Sequence, residues 1–311
     1  MKIVFMGTPD FAAAALEAII KAGHEVTAAV TQPDKPKGRS GQMQFSPVKE
    51  CAIKYGVPVL QPERIKKPEA VAQLREYEAD IYVVAAFGQI LSKEILEMTK
   101  YGCVNIHASL LPKYRGAAPI NWCIIDGECM TGITIMQMDG GIDTGDILTQ
   151  KSVPIAKKET AGSLFDKLSK AGAELIIETL PMIEKGEVTP VKQDDSLSSY
   201  VKMMEKSLGK IDWKSDAAYI ERLVRGLNPW PSAYTSVNGK TLKIWDCDVV
   251  CEDAINDENP GTIINITKEY FDVSCGKGML RIHELQLEGK KRMDTKSFLL
   301  GNQWKVGMCF I

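Results

Sequence analysis

Asn105 and His107 in this 311-residue chain have types and spacing that could carry chemistry, together with a carboxylate such as Asp143 from an acidic loop that also holds Asp139 and Asp146. Asn105 and His107 stand two apart in the run VNIHA, and side chains two apart in an extended segment project to the same face. A strand built only for a core has no use for an amide and an imidazole on one face. The run then passes through Ser109, Leu110, Leu111 and Pro112 into a loop broken by Gly116 and Pro119, which suggests a site at the carboxyl end of a strand. Asp143 lies in the glycine-studded acidic stretch DGGIDTGD, where the glycines are expected to permit dihedrals that aim one carboxylate across the site. An amide N–H can donate to a developing oxyanion, and an imidazole can donate a second hydrogen bond or move a proton. A carboxylate can hold the imidazole's tautomer. No GxSxG surrounds Ser109, so the set suits acyl transfer in which the substrate brings its own nucleophile. The competing reading makes His107 a hydrogen-bonded core histidine.

The remaining chemistry-bearing residues point elsewhere. His24 follows a glycine at a helix end and reads as a surface residue, while His283 sits in an alternating strand and reads as structural. Eight cysteines are scattered without a CxxC pair or a Cys/His cluster of zinc spacing, so no metal is expected and the thiols fit a reducing compartment. The acidic loop lacks the closing Glu of a calcium-binding EF-hand. The amino-terminal apolar run is too short for a signal peptide, and no stretch is long and apolar enough to span a membrane, so a cytoplasmic location is expected. The net charge of −2 means that any nucleic-acid contact needs a local basic patch.

The elements that must position these groups form an α/β pattern. A strand over 2–6, a turn, a helix over 11–22 and a strand over 25–31 make a βαβ unit, which predicts a parallel sheet. Further strands are expected over 57–60, 80–87, 103–108, 131–138 and 147–155, with a long helix over 160–185. The result is a Rossmann-like parallel-sheet N-terminal domain over 1–189, but Gly7 is alone in its turn and the dinucleotide fingerprint is absent. Residues 190–207 are polar and read as a linker. Over 208–311, a helix at 215–227 is followed by five short strands, with Asn238-Gly239 as a hairpin turn, which suits an OB-like β-barrel C-terminal domain. Trp230 is expected in the core of that domain. The loop over 32–45 carries Lys35, Lys37 and Arg39, either as a solvated loop or as a basic arm for phosphates.

The runs NIHASLLPKYRGAAPINW and TIMQMDGGIDTGDIL closely resemble the folate-dependent formyltransferases. The segments IVFMGTPDFA, TQPDKPKGR, SPVK and RGLNPWPSAY are similar to the tRNA-formylating branch of that family, and the resemblance covers nearly the whole chain. It implies a Rossmann-like domain followed by an OB-type barrel. It implies that Asn105, His107 and Asp143 are catalytic, and that 10-formyltetrahydrofolate binds beside Ser109, Leu110, Leu111 and Pro112. It further implies that Lys35, Lys37 and Arg39 reach toward the acceptor end of methionyl initiator tRNA, whose α-amine receives the formyl group. A monomer is expected. Rival readings are formyl transfer to a purine-precursor amine or a nucleotide sugar, and a non-catalytic nucleotide- or RNA-binding protein. Intact Asn105, His107 and Asp143 count against the last.

Overall fold

A computed structural model describes residues 1–37, 42–252 and 258–311. The chain divides into two compact units. The first comprises Met1–Pro119, Met130–Pro154 and Phe165–Val201; the second comprises Ile120–Cys129, Ile155–Leu164 and Lys202–Ile311.

The first unit is built on strands β1 (Lys2–Gly7) and β2 (Glu25–Val30), the short hairpin β3 (Lys35–Lys37) and β4 (Gln42–Gln44), then β5 (Val59–Leu60) and β6 (Ile81–Ala85). It continues with β7 (Cys103–His107), the two-residue β8 (Arg115–Gly116), β9 (Met130–Gln137), β10 (Ile147–Pro154) and β11 (Tyr200–Val201). Seven of these form one sheet in the order β10-β9-β7-β6-β1-β2-β5. Ile3, Val4, Phe5 and Met6 of β1 are fully buried, as expected for a strand covered on both faces of a parallel sheet. Helix α1 (Asp10–Lys21) covers one face with Phe11, Ala12, Ala15, Leu16 and Ile19, which recur at helical spacing. Gly7 is required by close packing: a Cβ there would lie 2.5 Å from the Ala12 Cβ. Helix α2 (Pro47–Lys54) starts where proline and serine predict, with the Ser46 side chain accepting from the Lys49 N–H at 3.1 Å. Helices α3 (Pro68–Arg75) and α4 (Lys93–Leu96) follow.

The sheet departs from the all-parallel expectation at one edge. Strands β7, β6, β1, β2 and β5 are parallel, but β9 runs antiparallel to both β7 and β10. The nine residues between β9 and β10 are too few for a helical crossover, so the chain turns back as a hairpin. That hairpin starts the 138–146 loop beside the first residues of β7, where the Met138 N–H donates to the Cys103 carbonyl at 2.8 Å, and the loop reaches back to Asn105 through Asp143.

Helix α5 (Pro119–Ile125) and the 25-residue α6 (Ala161–Lys185) each span a boundary between the two sets of residues. The segment expected as a linker, 190–207, does not stand apart: Val191 bridges to Ile147, and β11 pairs in parallel with β8. Most of its residues are exposed, as its polar composition suggests, but Gln193 is buried in the first unit.

The second unit holds helix α7 (Ala217–Gly226) and strands β12 (Ala233–Val237), β13 (Lys240–Cys251), β14 (Ile263–Ile266), β15 (Phe271–Ser274), β16 (Met279–Leu287) and β17 (Met293–Asp294), then helix α8 (Thr295–Leu300). All strand pairings are antiparallel, in the order β12-β13-β16-β15-β14 with β17 on β16. Asn238 and Gly239 both take positive φ, 50° and 73°, as the two-residue turn between β12 and β13 requires. The core joins Trp213, Phe271, Phe298 and Phe310, with the Trp213 indole donating to Thr235 Oγ1 at 3.0 Å. Trp230, expected in this core, is 53% exposed. It lies between Pro229 and Pro231 just beyond α7, outside the alternating pattern that turns side chains inward. No helix among the described residues is long and apolar enough to cross a membrane.

Candidate active site

The first unit brings Asn105, His107 and Asp143 together. β7 ends at His107, between parallel β6 and antiparallel β9, with Asn105 opposite Val84 and Met136. The Asn105 Nδ2 donates to Asp143 Oδ1 at 3.3 Å. The Gly116 N–H donates to the other oxygen, Oδ2, at 2.8 Å. His107 Nδ1 faces the same Oδ2 at 3.7 Å, too long for a hydrogen bond. The imidazole is instead held by its other nitrogen: Nε2 lies 2.9 Å from the Tyr114 carbonyl oxygen. A carbonyl only accepts, so Nε2 carries the proton. The tautomer-fixing role expected of Asp143 therefore belongs to Tyr114, and the Nδ1 nitrogen is left toward Asp143.

Residues 114–116 thus hold two of the three groups through adjacent backbone atoms, a carbonyl for His107 and an N–H for Asp143. Tyr114 and Gly116 both take positive φ, 61° and 97°, which turns these backbone groups inward. The turn is pinned by the 199–201 segment: Ser199 Oγ accepts from the Tyr114 N–H at 2.8 Å, and the Ser199 carbonyl accepts from the Arg115 N–H at 2.8 Å.

The acidic loop works differently from its glycine-based expectation. Its left-handed residue is Asp143 itself, at φ 55°, a conformation that aspartate tolerates better than most side chains. Gly145 is needed for room, since a Cβ there would sit 1.7 Å from the Gln137 carbonyl oxygen. Asp139 closes the loop on itself by accepting from the Gly141 N–H and the Thr144 hydroxyl, at 3.0 and 2.7 Å.

Ser109, Leu110, Leu111 and Pro112 follow β7 after Ala108. Ser109 is fully buried and its hydroxyl donates to the Lys113 carbonyl at 2.7 Å, so that side chain shapes the turn. Thr134, the register partner of His107 on β9, fixes the rest. Its hydroxyl donates to the Ser109 carbonyl at 2.7 Å and accepts from the Leu111 N–H at 3.1 Å and the Gln150 amide at 2.9 Å. The Gln150 amide also donates to the Leu111 carbonyl at 2.9 Å.

Arg115 and Gln193 are participants that sequence reasoning missed. Arg115 stands in the loop after β7, yet it is 1% exposed. Its guanidinium donates to Gln193 Oε1, the Tyr200 hydroxyl and Asp195 Oδ1 at 2.9, 3.1 and 2.8 Å. Burial works against its charge, but the bonds to Tyr200 and Asp195 together leave its pKa raised. Gln193 sits in the supposed linker, where polar neighbours gave no sign of its inward direction.

Of the basic loop, Lys35 is exposed on β3. Arg39 and the Lys37 side chain lie outside the described residues. No cluster of metal-ligating side chains occurs among the described residues. His24 is half-buried rather than fully exposed, and burial lowers its pKa. His283 is a structural partner of Asp248, Nε2 to Oδ2 at 2.9 Å.

Residues 1–180 match the formyl transferase family model, and residues 203–303 match that of the formyl transferase C-terminal domain. The chain belongs to the formyl transferase family. A methionyl-tRNA formyltransferase of Lachnospira eligens is 57% identical over 311 residues, covering 99% of each chain. One from Agathobacter rectalis is 55% identical, covering 100% of this chain and 99% of its own. Among solved structures, an N-formyltransferase from Helicobacter canadensis in complex with folinic acid and dTDP-3-aminofucose has a TM-score of 0.69 at 22% identity, covering 94% of this chain and 100% of that one. HypX from Aquifex aeolicus in complex with tetrahydrofolic acid has a TM-score of 0.62 at 18% identity, covering 97% of this chain and 47% of its own. At these identities the two structures establish the formyl transferase fold alone.

Proposed function

We propose that this formyl transferase moves the formyl group of 10-formyltetrahydrofolate to the α-amine of methionyl initiator tRNA, giving N-formylmethionyl-tRNA. The observation that carries this reading is the 57% identity to a methionyl-tRNA formyltransferase across both family domains. The sugar-formylating alternative rests on fold neighbours at 22–23% identity.

The residues present fit the donor. Bound 10-formyltetrahydrofolate supplies the electrophilic formyl carbon and leaves as tetrahydrofolate. Asn105 gives one amide N–H to Asp143 and has a second to offer the formyl oxygen as it gains charge. His107, held through Nε2, presents Nδ1, which in the protonated ring is a second donor to that oxygen. Asp143 accepts a proton from the attacking amine, directly or through a water, because its carboxylate is held at the same site by Asn105 and Gly116. The turn of Ser109, Leu110, Leu111 and Pro112, immobilised by Thr134, forms the wall against which the folate ring system lies. Lys35, Lys37 and Arg39 contact phosphates of the tRNA acceptor end, and the chain acts as a cytoplasmic monomer.

The deciding assay incubates the protein with 10-formyltetrahydrofolate and methionyl initiator tRNA. Formylmethionyl-tRNA is the expected product. Transfer to a dTDP-amino sugar, with none to the charged tRNA, overturns the reading.

A further inference from the structure

We propose that Gln193 is a positioning residue that holds Asp143 for proton transfer by tying its loop to the buried Arg115. The inference rests on the reading of Asp143 as part of the transfer site. Gln193 is 6% exposed, although Val191, Lys192, Asp194 and Asp195 around it are exposed. Its amide nitrogen donates to the Asp143 carbonyl at 2.9 Å and the Gly145 carbonyl at 2.7 Å. Its amide oxygen accepts from Arg115 Nε at 2.9 Å. All the hydrogens of the amide are therefore committed, and a primary amide is the side-chain group that offers two donors and an acceptor in this arrangement.

These contacts close a ring. The Gly116 N–H holds the Asp143 carboxylate, Arg115 is the residue before Gly116, its side chain holds Gln193, and Gln193 holds the Asp143 main chain. Asp143 is thus fixed at both its side chain and its backbone. Both matter, because even for aspartate a residue at φ 55° carries a backbone cost that fixed surroundings offset. The antiparallel bridge of Val191 with Ile147, bonded in both directions at 2.8 and 2.9 Å, sets the register that brings Gln193 over the base of the loop.

Gln193→Glu separates positioning from mere support of Arg115. Glutamate keeps the volume and still accepts from the guanidinium, but it turns carboxylate oxygen toward two carbonyl oxygens. Gln193→Met, similar in volume and uncharged, is the second variant. Each is expected to lower kcat roughly 10²-fold, the scale of a misplaced catalytic group, with KM for the formyl donor and for the charged tRNA changed less than threefold. In an Asp143→Ala background each is expected to change the residual rate less than twofold, because the group it positions is gone. Amide hydrogen exchange over 139–146 is expected to rise at least tenfold in both variants. A kcat within threefold of the parent, a full multiplicative loss in the Asp143→Ala background, or unchanged exchange overturns the proposal. So does loss of a cooperative melt in both variants, which assigns Gln193 to the fold. If the parent protein transfers no formyl group, the functional reading falls, while exchange over 139–146 still decides the clamp.

Discussion

His107 Nε2 lies 2.9 Å from the carbonyl oxygen of Tyr114, seven residues further along the chain, and this contact selects the ring nitrogen available for chemistry. The tautomer follows from the hydrogen-bond network. Long-range proton–nitrogen NMR of the imidazole should report the Nε2-protonated tautomer in the neutral ring, with Nδ1 as the unprotonated nitrogen. A neutral ring protonated at Nδ1 would set the Nε2 lone pair against the Tyr114 carbonyl oxygen and overturn this assignment.

The sequence itself brings part of this geometry into view. Asn105 and His107 share a face because strand alternation demands it, while the choice of Asp143 over Asp139 and Asp146 in the same loop comes from the family resemblance, since three acids of one loop read alike. Arg115 and Gln193 were not legible, since a buried guanidinium and a solvated one have the same sequence, and only tertiary partners distinguish them. The antiparallel turn of β9 was missed for a related reason: an apolar run of eight residues reads alike in either direction. Trp230 departs from its expected core position because it lies between two prolines beyond α7, outside any alternating strand that would turn it inward.

If the Ser109–Pro112 turn is the wall proposed for folate, Thr134→Val should act on donor binding more than on the transfer step. Valine keeps the shape but removes a donor to the Ser109 carbonyl and an acceptor for the Leu111 N–H and the Gln150 amide. Leaving such buried groups unsatisfied costs about 1–3 kcal/mol each. The expected result is a lower melting temperature and a KM for the formyl donor raised about tenfold, equivalent to ~1.4 kcal/mol. Saturated turnover should fall far less, and unchanged donor KM in steady-state kinetics would dissociate this turn from folate binding.

Thiol reactivity should follow burial. Cys129 and Cys309 are exposed, whereas Cys103, Cys123, Cys247 and Cys275 are buried. Burial pushes the Cys103 thiol up to about 12, and burial likewise pushes Cys275 up to about 12. At pH 8 these two therefore hold almost no thiolate, which is the reactive form. Alkylation of the native protein followed by peptide mass mapping should label Cys129 and Cys309 first and the four buried thiols only after denaturation. Labelling of Cys103 as fast as Cys129 would contradict the packing of β7 in the sheet.

Asp143→Asn tests whether the carboxylate is needed for charge or only for shape. Both oxygens of Asp143 face donors, Asn105 Nδ2 at 3.3 Å and the Gly116 N–H at 2.8 Å. An asparagine can place its oxygen against one of them, but its NH₂ then meets the other, so one donor–acceptor contact becomes donor against donor. The stronger Gly116 contact should keep the oxygen, leaving the Asn105 amide displaced from the position that would serve the oxyanion. The same change removes the proton acceptor proposed for the attacking amine. Loss of one oxyanion donor alone is worth roughly 10²–10³ in rate, so kcat is expected to fall at least that far, with KM for either substrate changed little. Asn105→Asp should not restore the double variant, because it supplies an acceptor but no oxyanion donor. A single-turnover rate for Asp143→Asn within tenfold of the parent would show that neither the charge nor the two-sided grip of Asn105 and Gly116 is used in the transfer step.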